Sequence, residues 1–246
     1  MKTYTLDDLA HLIDHTNLHA DASADDIRML CNEAKAQGFA MVAVNQVQAH
    51  LCHELLEDSN VHVGAAISFP LGQTSIFSKV QDTRDAIECG ADEIDYVVNL
   101  TEVKNKNWDY VREEMECIVA MCREGRGGGM AGAADPIVSK VIFENCYLTQ
   151  DEKLALCQIA SEVKPDFVKT STGFGTGGAT LDDVRLMRAN VPDEVKVKAA
   201  GGIRTADDFL EFVRAGAERI GTSASIDIIE ELQRRFRADG IETIEL

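Results

Sequence analysis

The chain has 246 residues, 45% of them hydrophobic, and its 42 acidic against 24 basic side chains give a net charge of −18. That length suits one eight-stranded α/β barrel with a large core. The charge argues against nucleic-acid backbones and anionic membranes as partners, so any phosphate ligand needs a local positive pocket in a negative surface. No apolar run is long enough to span a membrane. Met1 to Ala10 carries acidic residues and no signal-peptide pattern, and a cytoplasmic protein is expected. The seven cysteines form no C-x-x-C pair and read as reduced thiols, most of them in apolar context.

A unit repeats along the chain: a Ser or Thr N-cap with Asp, Glu or Gln three residues on, a helix, often a glycine, then an apolar strand. Ser23 opens a helix ending at Gly38, and Ser78 opens one ending at Gly90. Thr149, Thr180 and Thr205 open three more, the last ending at Gly216. A further helix is predicted from Trp108 to Arg123. The predicted strands are Leu12–Thr16, Ala40–Asn45, Val61–Ser68, Glu93–Asn99, Val138–Glu144, Asp166–Ser171, Val195–Ala200 and Glu218–Thr222. Short runs dense in Val, Ile, Ala and Phe suit parallel strands covered by helices. Eight of them alternating with helices predict one closed TIM (β/α)8 barrel over residues 1–246, with a short N-terminal helix. An open doubly wound sheet is the rival, but no G-x-G-x-x-G follows the first strand. The segment 125–136 is too rich in glycine to bury a side-chain core and is expected to form a flexible loop, at the barrel end opposite the active site.

Chemistry concentrates at the carboxyl ends of the strands. Collecting polar residues there gives Asp14, His15, Thr16, Asn45, Ser68, Asp95, Asn99, Lys140, Glu144, Lys169, Thr170 and Lys198. Lys169 ends a buried strand and is followed by the loop Thr170-Ser171-Thr172-Gly173-Phe174-Gly175. A buried lysine loses hydration, its pKa falls, and the neutral amine can attack a carbonyl to form a Schiff base. It can also snorkel to the surface or simply pair with a carboxylate. Lys198 stands in a second copy of the pattern, before Gly201-Gly202-Ile203-Arg204. Two close ammonium groups repel, which releases a proton from one of them; the pattern alone leaves open which lysine attacks. Asp95, on one strand face with Glu93, Val97 and Asn99, either bridges to a lysine or moves protons. Thr170, Gly173, Gly201, Gly202, Arg204, Gly221, Thr222 and Ser223 are the candidates for holding substrate and phosphate, since small residues at strand ends offer free backbone N–H groups. His11, His15 and His19 are spaced to share a helix face and could suit zinc. Asp14 to Asn17 reads as a strand end and turn, which breaks that face, so no metal is expected.

The motifs Val168-Lys169-Thr170-Ser171-Thr172-Gly173-Phe174 and Val197-Lys198-Ala199-Ala200-Gly201-Gly202-Ile203-Arg204 closely resemble the deoxyribose-phosphate aldolase family of class I aldolases. So do Ile13-Asp14-His15-Thr16, Ser68-Phe69-Pro70-Leu71-Gly72, Gly90 to Asp95, Glu144-Asn145-Cys146-Tyr147-Leu148-Thr149 and Arg219-Ile220-Gly221-Thr222-Ser223. The resemblance spans nearly the whole chain. It implies a TIM barrel, usually dimeric, without metal or other cofactor, that cleaves 2-deoxy-D-ribose 5-phosphate reversibly to acetaldehyde and glyceraldehyde 3-phosphate. It further implies Lys169 as the imine lysine, Lys198 as the lysine that lowers its pKa, Asp95 as the acid/base residue, and the late glycine loops with Arg204 as the phosphate site. Departures are Ala43 where many members have a cysteine near the substrate, Gln46 for a proline, Asn17 and His19 for a more usual Leu and Lys, and Asn145 for Thr. The tail Ile244-Glu245-Leu246 lacks the tyrosine of some longer members. An aldolase for another phosphorylated sugar and a phosphosugar-binding protein without catalysis remain the alternatives.

Overall fold

The structure, a computed structural model, describes residues 2–126 and 136–246. The chain starts with strand β1 (Thr3–Thr5) and helix α1 (Leu6–Ala10), then runs β2 (Ile13–Asn17), α2 (Ala24–Gln37), β3 (Met41–Asn45), α3 (Ala49–Leu56), β4 (His62–Ile67) and α4 (Ile76–Glu88). It continues with β5 (Glu93–Val97), α5 (Leu100–Lys104), α6 (Trp108–Glu124), β6 (Val138–Ile142), α7 (Gln150–Val163) and β7 (Phe167–Lys169). Last come α8 (Leu181–Asn190), β8 (Lys196–Ala200), α9 (Ala206–Arg214), β9 (Arg219–Thr222), α10 (Ser225–Asp239) and β10 (Thr243–Glu245). Strands β2 to β9 form a closed parallel barrel in chain order, sealed where Asp14 of β2 faces Gly221 of β9. All eight predicted strands are present, each at its predicted place.

Most helix starts follow the predicted caps. Ser23 and Thr149 sit in reciprocal capping boxes with Asp26 and Glu152, and Thr180 and Thr205 accept from the amides of Asp183 and Asp208. One start moves. Ser75, not Ser78, caps α4, and its hydroxyl accepts from the Ser78 amide. Helices α3 and α10 fill the places the alternation requires though no start was predicted for them, and two further features have no counterpart in the sequence reading. Strand β1 pairs antiparallel with β10, tying the two ends of the chain together. Helix α5 is a single turn or so, capped by Asn99. The glycine-rich stretch expected to be flexible lies, from 127 to 135, outside the described residues.

The alternation of the barrel strands positions everything that follows. Val42, Val44, Val63, Ala65, Ile94, Tyr96, Val141, Val168, Val197, Ala199 and Ile220 face outward and belong to the main apolar core beneath the helices. The other parity faces the barrel axis, and there the strands are not continuously apolar as expected. Met41 and Ala43 form only a small separate apolar cluster with Ala40. Asp14, Glu93, Asp95, Lys140, Lys169 and Lys198 occupy the axis and are buried. Gly64 keeps space there for Met41, whose Sδ would lie 2.3 Å from a Cβ at that position.

Candidate active site

Lys169 ends β7, Lys198 lies opposite it in register on β8, and Asp95 lies opposite Lys140 between β5 and β6. These placements bring the three residues singled out in the sequence into direct contact. Lys169 Nζ and Lys198 Nζ each donate to the same oxygen, Asp95 Oδ2, at 2.7 Å. The other oxygen, Oδ1, accepts from Lys140 Nζ at 2.7 Å. The network then runs down the axis. Lys198 pairs with Asp14 Oδ2 at 2.5 Å, Arg219 bridges Asp14 Oδ1 at 2.6 Å and Glu93 Oε1 at 2.8 Å, and Lys140 also pairs with Glu93. At the lower end Glu93 Oε1 meets His62 Nδ1 at 2.8 Å.

Four cationic side chains thus face three carboxylates in the barrel interior. Burial pushes the Asp95 carboxyl up, but the ammonium groups of Lys140, Lys169 and Lys198 outweigh it and hold Asp95 well below the usual carboxylate range. Burial pushes Lys140 down, and Asp95, Glu93 and Asp14 more than restore it above its ordinary value. For Lys169 the balance goes the other way. Burial lowers it, Asp95 pulls it back in part, and repulsion by Lys198 and Lys140 leaves it at about 8. The cluster is charge-balanced when Lys169 is the neutral member.

Above the cluster opens a cavity of about 270 Å³. Lys169 lines it, whereas Lys198 and Asp95 lie beneath and do not. Gly173, Gly201, Gly202, Arg204, Gly221, Thr222 and Ser223 all line it as well, so three loops from β7, β8 and β9 converge as their glycines suggested. Gly201 and Gly202 have φ of 87° and 82°, a turn that exposes backbone N–H groups and excludes side chains with a Cβ. Helix α10 begins next to Ser223 without a side-chain cap, which leaves first-turn N–H donors for a ligand. Thr170 departs from this group. It is fully buried, and its hydroxyl bonds Ala200 O at 3.3 Å and accepts from Ala200 N at 3.2 Å, so it joins β7 to β8 rather than facing the cavity. Thr16, Leu18, His19, Thr172, Phe174, Ala200 and Ile203 complete the wall.

The histidines spaced by four do not converge. His15 lies in β2, with Nδ1 at 2.9 Å from Ser225 Oγ and Nε2 at 2.8 Å from Glu33. Among the described residues no three His, Cys, Asp or Glu side chains are grouped to hold a metal ion. Sequence reasoning gave no role to Lys140, Asp14, Glu93 or Arg219. Lys140 and Asp14 stood among the polar strand ends, and the period of two in Glu93-Ile94-Asp95 and Lys196-Val197-Lys198 was the available signal of a charged axis.

A closed parallel barrel with a depressed-pKa lysine at the floor of its carboxyl-end cavity defines a class of enzymes that work through an amine nucleophile. Residues 9–226 match the model of the DeoC/LacD family aldolase, and the chain belongs to that family. A deoxyribose-phosphate aldolase of Lactobacillus acidophilus is 57% identical, over 99% of this chain and 98% of that protein. One from Bacteroides thetaiotaomicron is 48% identical over 92% of this chain and 91% of its own length. Among solved structures, the deoxyribose phosphate aldolase from Aeropyrum pernix, described as uniquely tetrameric, superposes with a TM-score of 0.83 at 31% identity, over 93% of this chain and 92% of that one.

Proposed function

We propose that this enzyme cleaves 2-deoxy-D-ribose 5-phosphate reversibly to acetaldehyde and D-glyceraldehyde 3-phosphate through a Schiff base on Lys169. The observation that carries the choice of nucleophile is that Lys169 lines the cavity and is held at about 8, while Lys198 is sealed beneath it. At pH 7 about a tenth of Lys169 is the neutral amine, against roughly one part in a few thousand for an ordinary lysine. Nζ attacks the sugar's aldehyde carbon, and loss of water gives the protonated imine. The bond between the second and third sugar carbons then breaks, its electron pair flowing into the imine nitrogen, while the 3-hydroxyl gives up its proton, through water, to the Asp95–Lys198 pair. Glyceraldehyde 3-phosphate leaves. The enamine regains a proton at carbon, and water releases acetaldehyde and the amine.

Asp95 stays ionised at neutral pH and serves as the shared acceptor between the two lysines, with Lys198 the proton donor of the pair. The turn Gly201-Gly202, Arg204, Gly173 and the Gly221–Ser223 segment hold the phosphate; Thr170 supports them from below. Residues 1–246 act as one domain in this reading. No helix of the described residues is long and apolar enough to cross a membrane, and a cytoplasmic location and a homodimer are proposed with the activity. Light scattering on the purified protein measures the latter, and a monomer or tetramer replaces it.

Assay of acetaldehyde release from deoxyribose 5-phosphate tests the activity. No release, with another phosphorylated aldol accepted, transfers the same chemistry to that sugar; binding without turnover overturns the enzyme reading. Unphosphorylated deoxyribose is expected to react more poorly, by about 1.5–3 kcal/mol for each lost bond to the charged group. Equal catalytic efficiency on both sugars contradicts the phosphate assignment.

A further inference from the structure

The motif Glu144-Asn145-Cys146 follows β6 and takes no part in the chemistry above. Glu144 has φ of 56° and ψ of 60°, a left-handed backbone that a residue with a side chain adopts only at a cost. Its side chain is buried, with 2% exposure, and no cation pairs with it among the described residues. A buried carboxylate must find donors elsewhere. The Cys146 thiol donates to Oε1 at 3.8 Å, and the other two donors lie in the loop that follows Lys169. Oε1 accepts from the Thr172 amide at 3.2 Å, and Oε2 accepts from the Thr172 hydroxyl. That hydroxyl oxygen in turn accepts from the Phe174 amide at 3.0 Å. Bonds from N–H and O–H donors to an ionised acceptor are the stronger kind.

The same loop is fitted closely on both sides. A Cβ on Gly175 would lie 2.7 Å from Cys146 Sγ and 3.2 Å from Glu144 Cδ. A Cβ on Gly178 would lie 2.1 Å from the Gly201 carbonyl oxygen. Thr172, Gly173 and Phe174 therefore reach the cavity along a path fixed at one end by Glu144 and at the other by the Gly201 turn. Phe174 also stacks edge-on against Phe69 with ring centroids 5.4 Å apart, at the rim of the same cavity.

We infer that Glu144 is a positioning residue: its carboxylate clamps the loop 172–178 and so fixes both the Gly173 wall and the Gly201-Gly202 turn that receives the substrate's phosphate. The role rests on the phosphate assignment made above. It touches neither the reacting carbon nor Nζ. Strain at Glu144 is the cost of aiming a carboxylate from the end of one strand at the loop of the next.

The test compares Glu144→Gln, Glu144→Ala and Gly175→Ala with the parent. Glu144→Gln keeps the shape but offers one acceptor where two are needed. KM for deoxyribose 5-phosphate is expected to rise roughly 10- to 100-fold in Glu144→Ala, because two bonds of about 1 kcal/mol each that hold the loop are lost, and less in Glu144→Gln. Borohydride trapping of acetaldehyde, which carries no phosphate, is expected to stay at the parent's level in each variant. Gly175→Ala, which crowds Cys146 and the Glu144 carboxylate without substituting either, is expected to reproduce the KM effect. Binding of inorganic phosphate, read by calorimetry, is expected to weaken in step, and it needs no turnover. Should the parent fail to cleave deoxyribose 5-phosphate yet bind phosphate in a Glu144-dependent way, the activity falls and the clamp stands. An unchanged KM and phosphate affinity in folded Glu144→Gln and Glu144→Ala overturns the clamp. So does a fall in trapping by the same factor as the rise in KM, which marks a merely structural residue. If Glu144→Ala does not fold, Glu144→Gln and Gly175→Ala decide by the same readouts.

Discussion

Lys79 and Lys169 are both buried against a carboxylate, and of these two only Lys169 is placed to react. Lys79 of α4 is fully buried between the helices and β5. Its Nζ has two acceptors of its own, Glu114 Oε1 and the Val97 carbonyl, both at 2.6 Å, and lies 5.7 Å from the Tyr96 ring centroid. Glu114 in turn accepts from the Asn99 amide at 3.0 Å. Burial lowers Lys79 and raises Glu114, each opposed by its partner, and neither lines the cavity above Lys169. Lys169 instead shares a single carboxylate oxygen with a second ammonium and opens onto a cavity. Burial lowers both lysines. What sets Lys169 apart is an excess of cations around it and a route for substrate. A one-to-one pair holds structure together, whereas a surplus ammonium is a proton ready to leave.

The comparison breaks most visibly at Lys169 itself. Lys169→Met is expected to lower turnover on the order of 10⁴- to 10⁶-fold, as loss of a nucleophile does. The corresponding Lys79→Met is expected to leave chemistry in place and strike stability alone. Lys198→Met comes next. It removes one repelling charge and the proposed proton donor together, and turnover at pH 7 is expected to drop on the order of 10²-fold. Its pH–rate limb is expected to move upward, because the Lys169 amine loses the neighbour that depresses it. A limb that stays in place separates proton donation from pKa control.

Glu114→Gln sharpens the other half. Leaving Lys79 charged and unpaired is expected to cost about 3–5 kcal/mol of unfolding free energy, measured by urea titration, with imine formation unchanged. Replacing both partners by apolar residues of similar size is expected to recover most of that loss. A smaller effect is expected from the pH dependence of stability. Lys169 sits at about 8 when folded and 10.5 when exposed, so the unfolded chain binds the extra proton between those values. Stability therefore gains from this group as pH rises from about 8 towards 10.5, and below 8 the full cost of the buried ammonium is present. Lys169→Met is accordingly expected to stabilise the fold at pH 7 by about 1–3 kcal/mol, the mark of a group retained for function.

Much of this was legible in the sequence, for identifiable reasons. The strands were visible because their outward faces carry Val, Ile and Ala regardless of what lies inside, and the helix starts because Ser23, Thr149, Thr180 and Thr205 cap them locally. Ser78 misled because Ser75, three residues earlier, satisfies the same local rule better. Lys169, Lys198 and Asp95 stood out as charges at strand ends. The supporting charges gained no role, Asp14 and Lys140 although they too stood at strand ends, because their partners are distant: Lys198 meets Asp14, and Arg219 meets both Asp14 and Glu93. Only barrel closure brings β2 beside β9, and no local pattern encodes that contact. Thr170 was assigned to the ligand by its neighbour, Lys169, yet strand alternation turns it away.

Borohydride reduction in the presence of deoxyribose 5-phosphate, followed by peptide mapping, tests most directly whether surplus charge and cavity access select the nucleophile. The expected result is one reduced adduct, on the peptide that carries Lys169, absent from Lys169→Met and formed slowly in Lys198→Met. An adduct on Lys198 or Lys140 with Lys169 unmodified, or none in an enzyme that turns over, contradicts it.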